Sequence, residues 1–120
     1  MTITLALLHR LEQLEGPDRG VDWEIHCLSG LDGVGMYGNH PSYTASIDDA
    51  LSNVGLHKVC IERWYGDGDK TLHAIVDLEV CYTDSIMNYE GRASGPNAEA
   101  RALTIAICRA RLEHGSFGNG

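Results

Sequence analysis

HKVCIERWYGDGDKTLHAIVDLEV, residues 57–80, is the stretch that decides the fold. From His57 to Tyr65 the side chains alternate, with Val59, Ile61, Arg63 and Tyr65 on one side and Cys60, Glu62 and Trp64 on the other. That is the period of a β-strand with both faces partly buried. Gly66-Asp67-Gly68-Asp69 is a reverse-turn sequence, and beyond it Leu72, Ala74, Val76, Leu78 and Val80 form one apolar face of a second strand. The two runs predict an antiparallel hairpin.

Toward the C-terminus, residues 86–93 alternate again, with Ile86, Asn88, Glu90 and Arg92 opposite Met87, Tyr89, Gly91 and Ala93. The polar mixture marks an edge strand. Gly95-Pro96-Asn97 ends the sheet, and Asn97 is placed to cap a helix reaching Glu113. Its apolar positions, from Ala98 and Ala102 to Ala110 and Leu112, wrap most of the way round, so it lies between neighbours or against a second chain. The tail 115–120, GSFGNG, is expected to fray.

Toward the N-terminus, Ser46-Ile47-Asp48-Asp49 reads as a cap with an acid three residues on, opening a short helix over 46–54 that Gly55 stops. Residues 29–42 hold four glycines, a proline, Asn39 and His40, the composition of a loop. Before it come two helices. One spans 3–15 with Leu5, Leu8, Leu11 and Leu14 on one face and Gly16 as its stop. The next has Pro17 in its first turn, Asp18 against the helix dipole, and Val21, Ile25 and Leu28 inward. The fold class expected is α+β: an α/β/α sandwich with a small antiparallel sheet of three or four strands covered by helices, one domain over 1–114.

The 120 residues include 9 Lys+Arg and 17 Asp+Glu, a net charge of −8, with 43% hydrophobic residues and 3 Pro. Collagen, coiled coil and wholesale disorder are excluded by that composition. Area scaling for this mass gives a folded surface of about 6,400 Å² against roughly 19,000 Å² unfolded, enough burial for a core without staples. A pI near 5.0 leaves no basic stripe for phosphate neutralisation, so neither DNA nor RNA is an expected partner. No apolar run approaches the roughly 20 residues of a membrane span. The opening MTITLALLHRLEQLE has no basic leader and no small-residue cleavage site, so a cytoplasmic protein is expected.

The cysteines Cys27, Cys60, Cys81 and Cys108 form no CxxC pair, and His57 and Cys60 sit i, i+3 on a strand, pointing to opposite faces. No metal site and no cofactor is expected. There is no GxSxG elbow, and no Cys/His pair is marked out locally for nucleophilic catalysis, so no catalytic residue is assigned. Gly33-Val34-Gly35-Met36-Tyr37-Gly38 matches GxGxxG but opens no strand–helix unit and lacks the Lys-Ser/Thr of a phosphate loop.

What the residues do offer is aromatic rings with arginines. Rings stack on bases, and guanidinium forks bind phosphate oxygens through two parallel hydrogen bonds. Trp23, Arg63, Trp64, Tyr89 and Arg92 are candidates of this kind. Tyr43 stands just before a helix start where the hydroxyls of Thr44 and Ser46 can receive an anion. These eight residues are the expected ligand-binding set.

Three strings, LLHRLEQLEGPDRGVD at 7–22, PSYTASIDDAL at 41–51 and ARALTIAICRARL at 100–112, together with the element order, resemble the small bacteriophage and prophage proteins of the phage ABA sandwich family. The resemblance spans 5–113 and implies a helix-covered antiparallel sheet, a phage origin and no established reaction. The glycine-rich loop 29–40 and Arg63-Trp64-Tyr65 before an acidic turn depart from it. The combined expectation is a non-enzymatic homo-oligomer in the host bacterial cytoplasm that sequesters a nucleotide-derived signalling molecule of anti-phage immunity. The alternatives are an acidic protein–protein module that inhibits a host protein, and an enzyme that degrades such a nucleotide with His40 or His73 as base.

Overall fold

The computed structural model describes residues 4–28, 42–51, 58–66, 68, 71–81 and 85–114, with only the backbone of residues 27, 28 and 114. The loop 29–41 with its GxGxxG match, His40, His57, Asp67, Asp69 and the tail 115–120 lie outside the described residues. The elements run α1 (Leu5–Glu12), α2 (Arg19–Leu28), α3 (Ile47–Leu51), β1 (Lys58–Tyr65), β2 (Leu72–Cys81), β3 (Ile86–Ser94) and α4 (Ala98–His114). The fold is α+β: a three-stranded antiparallel sheet, ordered β1-β2-β3, packed against helices.

The apolar face expected on β2 is the centre of the core, with Ala74, Val76, Leu78 and Val80 all buried. α4 lies across β2 and β3, and an alanine at every fourth position makes that contact close. Ala98, Ala102, Ala106 and Ala110 are buried with Leu103 and Ile107 against the sheet. The fourfold spacing places the alanines on one face of the helix. Across from them, a Cβ built on Gly91 of β3 falls 1.8 Å from the Ala102 carbonyl oxygen, so only glycine fits. The opposite side of α4 presents Ile105 and Cys108 to a second cluster of Leu7, Leu8 and Leu11 of α1, Val21 and Ile25 of α2, and Tyr43. The broadly apolar helix is thus explained within one chain: it is the layer between the sheet and the N-terminal helices. The total surface, 6793 Å², is close to the scaling value for this mass.

Local chemistry sets the helix ends. Thr4 Oγ1 accepts from the Leu7 amide at 3.2 Å and caps α1, which ends at Glu12 rather than residue 15. At α2 the cap is Asp18, whose Oδ1 accepts from the Val21 amide at 3.0 Å, so Pro17 stands before the helix and not in its first turn. Ser46 caps α3 as read, accepting from the Asp49 amide at 3.2 Å, and the Asp49 carboxylate accepts from the Ser42 amide at 2.7 Å. Asn97 behaves differently from the capping expectation. It adopts φ +57°, and its side-chain amide donates to the Ala45 carbonyl, tying the start of α4 to the segment before α3.

One buried cation joins the layers. Arg101 of α4 donates Nη1 to the Leu14 carbonyl at 2.9 Å, and Nη2 to the carbonyls of Ser94 at 2.5 Å and Pro96 at 2.8 Å. Burial lowers its pKa. No helix among the described residues is long and apolar enough to cross a membrane.

β1 departs from the partial burial expected of it. Seven of its eight residues are exposed, Ile61 at 37% and Tyr65 at 69% among them. The cause is the placement of α4 over β2 and β3, which leaves the β1 edge beyond the helix layer.

Candidate functional site

The sheet's outer face carries a row of three side chains, one from each strand. Trp64 of β1 pairs with His73 of β2, and His73 with Ser94 of β3. The Trp64 and His73 rings stack with centroids 5.7 Å apart and planes 22° from parallel. His73 Nδ1 lies 2.7 Å from Ser94 Oγ, so that hydrogen bond fixes the imidazole orientation. Cross-strand pairing is what makes the stack, because residues directly opposite on antiparallel strands project to the same face.

This row floors an open cleft of about 600 Å³, the size range of small-molecule sites. The far wall is formed by Glu12, the last residue of α1, and the three residues after it, held near the sheet by the Arg101 bond to Leu14. Ile75 and Arg92 line the cleft beside the row. Arg92 Nε donates to a Glu90 carboxylate oxygen at 2.7 Å. That hydrogen bond raises the guanidinium pKa and lowers that of the Glu90 carboxyl, while the Arg92 side chain remains two-thirds exposed. The Glu12 carboxylate accepts from Arg109, which also donates to the Glu90 carbonyl at 2.7 Å, so one wall charge is already compensated.

The cleft therefore combines a rigid aromatic platform, a hydroxyl, a cation at the rim and a carboxylate, Glu15, on the opposite wall. Such a set can stack a planar ring, accept from ring amines or sugar hydroxyls, and pair with an anionic group.

Comparison with protein-family models, curated proteins and solved structures gives no match. The side-chain chemistry of the cleft is what bears on function.

Of the eight residues singled out in the sequence, Trp64 and Arg92 meet in the cleft. The others are placed elsewhere. Arg63 points to the opposite face of β1 and pairs with Glu99 at 3.2 Å. Tyr89 is buried in the sheet–α4 core. Tyr43 and Thr44 are 1% and 0% exposed and serve the fold. The Thr44 hydroxyl donates to Asp22 Oδ1 at 2.8 Å and accepts from the Asp18 amide at 2.8 Å, while the Tyr43 carbonyl accepts from Thr104 at 2.8 Å. Ser46 caps α3, whose first turn holds Asp48 and Asp49, which repel an anion there. The Trp23 ring lies 5.9 Å from that of His26, outside the cleft.

Ser94 and the Glu12–Glu15 wall carry no motif, and His73 enters the sequence reading only as the base of an enzyme. The available signal for His73 as a platform is its place two residues before Ile75 on the polar side of the hairpin, opposite a tryptophan. Among the described residues no three His, Cys, Asp or Glu gather to hold a metal ion.

Proposed function

We propose that this chain is a non-enzymatic binder of a small nucleotide, held in the cleft over the Trp64–His73 stack. The stacked, hydrogen-bonded ring pair at the floor of an open cleft carries this reading. A base laid on Trp64 exchanges an exposed indole face, 44% open, for ring–ring contact. Glu15 accepts from base amines or ribose hydroxyls, and Arg92, whose Nε and Nη2 face the Glu90 carboxylate, donates to the phosphate through its remaining Nη hydrogens. The resemblance of segments 7–22, 41–51 and 100–112 to phage ABA sandwich proteins supports a role in a bacteriophage or prophage, where stoichiometric capture of a host signalling nucleotide needs no catalytic residue. Capture of that kind must be tight, since a nanomolar Kd corresponds to about −12 kcal/mol.

The test is a thermal-shift panel of cyclic dinucleotides, cyclic ADP-ribose isomers and common nucleotides. A ligand that binds only the native state raises stability by RT ln(1 + [L]/Kd), about 2.7 kcal/mol at a hundredfold excess over Kd. The expected result is a shift with one nucleotide, which heat releases unchanged. A changed product would replace sequestration with catalysis. No shift across the panel would overturn nucleotide binding and favour the protein–protein reading.

A further inference from the structure

The two edges of the sheet are treated differently by the chain. At β3 the outward carbonyl of Glu90 accepts from Arg109, which also holds Glu12 across the edge. Among the described residues β1 has a single strand neighbour, β2, and it stands exposed beyond α4. A long exposed edge is a template for another strand, and proteins commonly blunt such edges with charge. The charges on β1 do not serve that end against one particular partner.

Lys58 and Glu62 project on the same face, four residues apart, and among the described residues neither makes an ion pair. Reversing the strand about Cys60 places Lys58 opposite Glu62 and Glu62 opposite Lys58. On the other face the same reversal sets Val59 opposite Ile61 twice. Every directly opposed pair over 58–62 outside the axis is then complementary in charge or in apolar character, and cross-strand pairs of these types are the stabilising unit of a sheet. Two copies of one register, both satisfied by a two-fold axis, are the signature of an isologous contact.

We propose that two copies of this chain associate through antiparallel pairing of β1 with β1 about a two-fold axis at Cys60, giving a continuous six-stranded sheet. Cys60, exposed on each copy, then faces Cys60 of the partner subunit. The exposed Ile61 of each copy gains an apolar neighbour in Val59 of the partner subunit. This pairing does not depend on nucleotide binding.

The experiment is charge reversal followed by mixing, read by sedimentation velocity on the full chain. Wild type dimerises with rising concentration, more weakly at high salt. Lys58→Glu and Glu62→Lys each set like charges opposite one another, and each weakens self-association roughly tenfold or more. Mixed together, the two variants form a heterodimer. One then carries acids at both positions 58 and 62 and the other carries lysines at both, so each cross-axis pair is again of opposite sign. Recovery on mixing also shows that both variants are folded. A short bifunctional maleimide crosslinks the wild-type dimer, and the crosslink is lost in Cys60→Ser but kept in Cys81→Ser. The proposal is overturned if wild type stays monomeric, if the single reversals dimerise as wild type does, or if mixing restores nothing.

Discussion

Gly91→Ala reports directly on how the sheet and α4 meet. The added Cβ lies 1.8 Å from the Ala102 carbonyl oxygen, 2.9 Å from its carbon and 2.9 Å from the Ala106 nitrogen. All three are backbone atoms in the middle of a helix, so no rotamer change relieves the overlap. Ordinary contact begins near 3.4 Å, and α4 must therefore withdraw by about 1.5 Å from β3. The withdrawal loosens Ala98, Ala102, Leu103 and Ala106 against Val76, Leu78 and Tyr89, the middle of the sheet-facing cluster. Overpacking typically costs roughly 1–3 kcal/mol; with backbone on the receiving side the loss is put at about 3 kcal/mol or more. Set against a total stability of roughly 5–15 kcal/mol, that lowers the melting temperature by roughly 10 °C or more. The assay is urea unfolding followed by far-UV circular dichroism, with Gly16→Ala as the companion. Nothing lies within 4 Å of a Cβ at Gly16, so that variant is expected to gain about 0.4–1 kcal/mol by restricting the unfolded chain. A Gly91→Ala protein within about 0.5 kcal/mol of wild type would refute the close approach of helix and strand.

Two further expectations concern buried polar groups. Arg101→Met strands the carbonyls of Leu14, Ser94 and Pro96 and is expected to cost about 3 kcal/mol, with a lower urea midpoint and loss of the cleft wall; an unchanged midpoint would dismiss the clamp. Burial pushes the Cys108 thiol up to about 12, above its ordinary value of 9.0, with nearby Arg111 opposing the shift. Because the folded pKa is the raised one, its contribution is complete below pH 9 and is lost as pH rises toward 12. Wild type should therefore lose stability over that window relative to Cys108→Ala, and parallel stability curves for the two would show that the thiol is not shielded.

How much of this was legible in the sequence depends on the range over which each signal acts. Period-two alternation and capping are local, so the hairpin, the third strand, the Ser46 cap and the apolar α4 were all readable from neighbouring residues. Where several local readings compete, contacts made far along the chain decide. Asp18 caps α2 while Pro17 waits outside it, and Thr44, distant in sequence, fixes that helix start. Asn97 turns its amide away to Ala45 for the same reason.

The cleft was half legible. Trp64 and Arg92 stood out as a ring and a fork, but their neighbours depend on strand register. Tyr65 pairs with Leu72 across a six-residue connection closed by the Gly66 amide bonding to the Thr71 carbonyl. The four-residue signal Gly66–Asp69 marks the turn without fixing that register, and a two-residue slip would set Glu62, not Trp64, opposite His73. Thr44 and Tyr43 misled for a physical reason. Hydroxyls beside a helix start suit an anion or a buried carboxylate equally well, and here Asp22 is the carboxylate.

The most direct measurement is the fluorescence of Trp64 in a Trp23→Phe protein, where it is the sole indole, during titration with the nucleotide panel. Base stacking on that ring predicts saturable quenching by one nucleotide, not reproduced by salt or inorganic phosphate alone and shifted to weaker affinity by Arg92→Ala. Emission unchanged by every nucleotide while the protein remains folded would contradict binding over the Trp64–His73 stack.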